Sequence, residues 1–163
     1  QLNSDQAFTI GLLQGVGQLV MHAADAAQVR PLDDACDPLS RERAALERER
    51  LGYHHGEVGG ELARRWNFPA AISDPMAQAP MLPDKGRLEP QAALAHIAAW
   101  RSRIDVLHLS DDQAQAECPQ GPAKALGLEL SWSEGRLDIE GHDGPATMPP
   151  LADLGSGMES MFG

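Results

Sequence analysis

The sequence predicts a mainly α-helical protein carrying a small C-terminal β-hairpin, and three observations support this. Apolar residues make up 42% of the chain but aromatics only 4%, an Ala- and Leu-rich balance that suits packed helices better than a sheet sandwich. Between Ala7 and His22 the apolar residues Phe8, Leu12, Leu13, Val16, Leu19 and Val20 recur at three- and four-residue steps, the spacing of one buried helix face. Leu128, Leu130, Trp132, Leu137 and Ile139 instead alternate with polar residues around Glu134-Gly135, the pattern of two strands and a turn. A helix over Leu128 to Leu137 is the competing reading of that short stretch.

Taken in order, the first helix has Asn3, Ser4 or Asp5 as its cap and runs to about Ala27, with Gly11, Gly15 and Gly17 marking a close approach or a bend. Arg30-Pro31 is expected to end it, and the stretch to Pro38, with Asp33, Asp34, Cys36 and Asp37, reads as a solvated connector rather than a calcium loop. Ser40 then caps a charged helix from Arg41 to about Leu51, stopped by Gly52. Its arginines Arg41, Arg43, Arg48 and Arg50 interleave with Glu42, Glu47 and Glu49, as on a solvated face. Tyr53 to Trp66 forms the next helix, in which Gly59 and Gly60 admit a close neighbour, and Phe68-Pro69 separates it from a short helix over Ala70 to Ala79 with Ile72 and Met76 inward. Pro80 to Glu89 is a loop. Pro90 opens a strong helix to about Val106 with Leu94, Ile97, Ala98, Arg101 and Ile104 on one stripe, and Gly121-Pro122 begins a short one ending near Gly127.

Composition narrows the function classes. A formal charge of -11 argues against a nucleic-acid partner, because affinity for a phosphate backbone comes from Lys and Arg. Cys36 and Cys118 have no metal-ligand spacing and read as free thiols of a reducing compartment. Neither a long uninterrupted apolar run nor a secretory leader is evident, so the expectation is a cytoplasmic protein without a membrane partner.

Two stretches carry a family resemblance. F-T-I-G-L-L-Q-G-V-G-Q-L, Phe8 to Leu19, resembles the F-x-x-G-L-L-H-D-I-G-K-L segment of the HD superfamily of metal-dependent phosphohydrolases, and most closely that of its output domain, HDOD. E-R-L-G-Y-H-H-G-E-V-G-G-E-L-A-R-R-W-N-F-P, Glu49 to Pro69, is similar to the HDOD pattern E-x-x-x-G-x-x-H-x-x-V-G-x-x-L-x-x-x-W-x-x-P. The resemblance implies an HD-type helical bundle over residues 1–110, followed by an extension over residues 111–163. It covers about Ala7 to Ile104 and lacks the helical region that precedes F-x-x-G-L-L in a complete HDOD domain, which implies an apolar face in need of a cover.

It also implies where a metal pocket would stand and how it has changed. The adjacent His and Asp ligands of catalytic members correspond to Gln14 and Gly15, and the histidine kept in HD-GYP phosphodiesterases corresponds to His55. A further histidine pair corresponds to Gln78 and Ala79, or to Ala77 and Gln78, and the site-closing aspartate to Ala99. His96, three residues before Ala99, reads as a structural hydrogen-bonding group on another side of the helix. A hydrolytic metal needs about three protein ligands and an open position for water, and the vestigial pocket Gln14, Gly15, His55, Gln78 and Ala99 offers one. No catalytic residue, metal or cofactor is therefore expected.

The expectation is a non-catalytic bacterial signal-transduction module that docks to a protein partner or to an upstream sensory or receiver domain, with homodimerisation as another way to cover its face. Leu151, Leu154, Met158, Met161 and Phe162, in a Gly-, Pro- and Met-rich tail, are the candidate docking segment. The alternative is a nucleotide sensor, for example of cyclic dinucleotides, or a residual phosphohydrolase, using a rebuilt pocket around His55.

Overall fold

The computed structural model describes residues 3–82, 88–133 and 135–139, and among them the chain is mainly helical with one two-stranded sheet. Helix α1 (Ser4–Leu13) starts at Asn3, whose side-chain oxygen accepts the Gln6 backbone N–H at 3.0 Å, so the first of the three candidate caps is used. The expected single helix breaks at Gln14-Gly15, and α2 (Val16–Ala35) follows. Its buried residues also differ from those expected: Ile10, Gly17 and Met21 point inward, whereas Phe8, Leu12 and Leu19 are exposed. Gln14 and Gly15 keep right-handed helical φ and ψ, so Ile10, Gly17 and Met21, seven and four residues apart, still share one helical face; the buried face is simply not the one that the largest apolar side chains mark.

Pro31 does not end α2. The interruption lies at Asp25 (φ -152°, ψ 76°), whose carboxylate accepts the Gln28 N–H at 3.2 Å and so caps a second helical segment that carries Pro31 within it. Taken together, Ser4–Ala35 is long and apolar enough to cross a membrane by length and composition, a test that the core helix of a globular domain also meets. The expectation of no such stretch is corrected to that extent.

Helix α3 (Arg43–Leu51) ends at Gly52, whose φ of 82° is the left-handed cap that glycine favours. Helix α4 (His55–Arg65) packs on α2 and on α5 (Ala70–Gln78) through glycines: a Cβ on Gly17 would overlap the His55 carbonyl, and one on Gly60 would lie 2.7 Å from the Ser73 oxygen. Pro75 is accommodated inside α5, where it is buried beside Met76. Helix α6 (Pro90–Leu107) begins with proline in its first turn and with the Glu89 carboxylate accepting the Ala92 N–H at 2.6 Å.

Two apolar clusters share α6. Ile10, Ala63, Ile72, Met76, Ala79 and Ala95 form the first, from α1, α4, α5 and the start of α6. The second joins Ile97, Trp100 and Ile104 to Ala114 of α7 (Asp111–Ala116), Ala123 of α8 (Gln120–Ala125) and Leu130 and Trp132 of the hairpin. Strands β1 (Leu130–Ser133) and β2 (Arg136–Ile139) pair antiparallel, Trp132 opposite Leu137, so the strand reading of this stretch holds over the helical one. Trp100 and Trp132 meet edge to face at 6.0 Å, and the Trp100 indole N–H donates to the Ala114 carbonyl at 3.1 Å.

Candidate functional site

A cavity of about 130 Å³ lies where the α1–α2 junction, the loop before α3, the start of α4, the end of α5 and one face of α6 converge. Four of the five residues assigned to the vestigial pocket line it: Gln14, Gly15, His55 and Ala99. Gln78 does not, and its neighbour Ala79 does. His96 shares the cavity wall with Ala99 rather than lying on another side, since residues three apart occupy one helix face. The candidate docking residues Leu151, Leu154, Met158, Met161 and Phe162 fall outside the described residues.

Local sequence explains how His54 and His55 take different roles. His54 is the residue before the first turn of α4; its Nδ1 accepts the Gly56 N–H at 3.2 Å, while its own N–H donates to Glu57 at 3.1 Å. Burial holds the His54 pKa below its ordinary value, which keeps Nδ1 free to accept. One residue on, the His55 backbone N–H and Nδ1 both donate to the Glu47 carboxylate at 2.7 Å.

Behind His55 runs a chain of charges that the sequence did not reveal. Glu47 is fully buried, Arg43 is 1% exposed, and they pair at 2.8 Å across one helical turn. Arg43 also reaches Asp33 at 2.8 Å, and Asp33 reaches His22 Nε2 at the same distance. These two charges of α3 therefore do not lie on a solvated face, and Asp33 is not part of an isolated loop. Burial pushes the Glu47 carboxyl up, but hydrogen bonds and charge from His55 and then Arg43 more than offset it, so its pKa lies below the ordinary value. At the far end, the Gln18 carbonyl and then Asp33 raise the His22 pKa, each accepting a hydrogen bond from one ring nitrogen.

On the α6 side the His96 Nδ1–H donates to the Ala79 carbonyl at 2.8 Å, which fixes the ring between α5 and α6. Its pKa is lowered, chiefly by burial and also by the nearby charges of Arg103 and Arg41. Both arginines line the cavity together with Ser40 and Ser102, and no aspartate or glutamate does so. Sequence reasoning missed Arg103 because its stripe on α6 counted apolar residues; the i, i+3, i+7 spacing of His96, Ala99 and Arg103 was the available signal.

Chemically, the cavity offers cationic and neutral hydrogen-bonding groups but only one imidazole, His55, at the positions matched to the family's ligands. Among the described residues, no group of three His, Cys, Asp or Glu side chains converges to hold a metal ion. Comparison with curated proteins and with solved structures returns no match. Residues 1–80 match the model of the HDOD domain, and over this stretch, which contains α1 to α5 and most of the cavity wall, the chain belongs to the HDOD family.

Proposed function

We propose that the chain is a non-catalytic signalling module that works by docking onto an apolar helical face of another protein. The observation that carries this reading is the exposure of large apolar side chains on α1 and the start of α2, where Leu12 is 65% and Leu19 is 70% exposed and Phe8 lies with them. Scattered single apolar residues are ordinary on a surface, but three within two short helical segments are not. The lost ligand set supports the non-catalytic part: Gln14 and Ala99 cannot replace a histidine and an aspartate in lowering the pKa of a metal-bound water. In this reading the module is cytoplasmic and is set by an upstream sensory or receiver region.

The test is site-specific photocrosslinking in cells, with the probe at position 12 or 19 and a control at exposed Arg65. A discrete adduct at 12 and 19, abolished by Leu19→Glu when the probe is at 12, is the expected result. Equal labelling at all three positions refutes docking through this surface, and an adduct of twice the chain mass identifies homodimerisation instead. Phosphoester turnover by pure protein supplied with divalent metal refutes the non-catalytic assignment. The nucleotide-sensor alternative draws on the cationic wall of the cavity, but about 130 Å³ falls short of the roughly 300 Å³ at which pockets begin to enclose drug-sized ligands, so only a phosphoryl group would fit inside and any base or sugar would lie in the cleft beside it. A cyclic dinucleotide is larger still.

A further inference from the structure

We propose that the cavity between His55 and α6 binds a phosphoryl oxyanion directly, with Arg41 and Arg103 as its charge partners and no metal ion between them. The inference concerns a different site from the apolar surface and does not depend on it.

Charge distribution is the first ground. The chain carries a formal charge of -11, yet the cavity lining holds two arginines and two histidines and no carboxylate. A pocket built to hold a cation presents carboxylate and imidazole lone pairs; here no carboxylate lines the wall, and Ser40, Ser102 and Gln14 stand beside the guanidinium groups.

Arg103 supplies the second ground. Its side chain is 12% exposed, and its one ion pair among the described residues, to Glu117 at 3.3 Å, uses Nη2. Nε is buried without a hydrogen-bond partner among the described residues. A buried donor left unmade costs about 1–3 kcal/mol; Nε has no accessible surface in this arrangement, so a guanidinium turned towards an oxyanion in the cavity would gain the acceptor it lacks. The His96 pKa is lowered chiefly by burial, and the charges of Arg103 and Arg41 add to the lowering, so both positive fields meet at one ring, where an anion would offset them. Two acidic groups act on the arginines from outside the cavity lining: Glu117, which also lines the adjoining cleft, pairs with Arg103, and Glu42, 3.7 Å from Arg41, acts on Arg103 as well.

Size decides the class of ligand. At about 130 Å³ the cavity is well below the roughly 300 Å³ at which pockets begin to enclose drug-sized ligands, and it suits a small group such as one tetrahedral oxyanion. The cavity adjoins a cleft that shares Arg41, Pro80, His96 and Arg103 and continues to Pro119 and Gly121, so the remainder of a phosphomonoester has somewhere to lie. Free phosphate and the phosphate of a small ester share this chemistry.

Calorimetric titration of the full chain with inorganic phosphate, glycerol 3-phosphate and AMP, at constant ionic strength set by chloride, tests the proposal. Saturable binding of at least one ligand below about 10 mM is expected, weakened at least tenfold by Arg103→Gln and by Arg41→Gln. Arg41 is mostly exposed, so R41Q should fold even if R103Q does not. Glu117→Gln releases Arg103 from its partner and should tighten binding several-fold, a change that a merely structural arginine would not produce. Esters at least tenfold tighter than phosphate identify a phosphomonoester as the ligand, and equal affinities identify free phosphate. No binding by any of the three, or equal binding by R41Q and the parent chain, overturns the proposal. Crosslinking at positions 12 and 19 reads the docking surface independently.

Discussion

Replacing Glu47 with glutamine tests whether the buried charges hold the α2, α3 and α4 segments together. The carboxylate is fully buried; one oxygen takes the Arg43 Nε–H at 2.8 Å, and the other takes both the backbone N–H and Nδ1–H of His55 at 2.7 Å. Every neighbour is a donor. Glutamine preserves the shape but turns one oxygen into an NH2 group that must face a donor, and it leaves Arg43 with only the partly exposed Asp33 for charge. Removing one member of a buried pair costs about 3–5 kcal/mol, because the other charge stays buried. The total stability of a domain is roughly 5–15 kcal/mol. At roughly 2–4 °C per kcal/mol for a chain of this size, the melting temperature should fall by about 10 °C. Urea unfolding followed by circular dichroism at 222 nm measures the free energy by linear extrapolation. A loss below about 1 kcal/mol would show that water reaches the pair and that burial does not govern its energy.

Other expectations follow from the packing and from titration. Gly17→Ala drives a methyl into the His55 carbonyl and to 2.9 Å from the Gly59 nitrogen, so overpacking should cost about 1–3 kcal/mol or more and outweigh the gain in helix propensity. Gly11→Ala, with nothing within 4 Å of the new methyl, should instead stabilise by about 0.5–1 kcal/mol; equal signs in urea unfolding would refute this contrast. Trp100→Ala empties the centre of the second cluster and should cost about 3–5 kcal/mol, read by the same unfolding curves. The folded-state pKa values of buried His54 and His96 are depressed, so the stability they contribute is complete above the unfolded value of about 6.5 and is lost as pH falls through the lower folded values. His22, raised and more than a third exposed, contributes in the opposite direction and is discounted for solvent screening. Unfolding free energy in phosphate-free buffer should therefore drop between pH 7.5 and 5.5, and His96→Gln should flatten that slope; a rise towards pH 5.5 contradicts the assignment.

Local signals were legible in the sequence where one residue type forces a conformation. Gly52 ended α3, Pro90 opened α6, and the alternation around Gly135 gave the hairpin. Signals that depend on distant contacts were not legible. Arg43 and Glu47 have the same composition as the exposed charges beside them, and only their packing against α2 and α4 separates the two kinds. The predicted apolar face of the first helix failed because its inward side runs through Ile10, Gly17 and Met21, where the close contact is made by a glycine against α4 and not by the largest apolar side chains. At the cavity, alignment to the family placed Gln14, Gly15, His55 and Ala99 together, since motif positions encode three-dimensional neighbours. Arg41, His96 and Arg103 fell outside those motif positions; the spacing of His96 and Arg103 about Ala99 marked two of them as sharing its face of α6, whereas Arg41 reaches the pocket only through the fold.

Helix α6 has a consequence for how this protein can be divided. Its first turns supply Ala95 to one cluster, and its later turns supply Ile97, Trp100 and Ile104 to the other. A cut after residue 80 would strip the family-matched half of a wall, and a cut at 110 would leave two-ring indole surface bare to solvent. The helix acts as a common beam, so strain imposed at the hairpin end would be felt at the arginine and histidine it holds over the cavity. Fragments intended to isolate either half should therefore keep the whole beam and whatever leans on it.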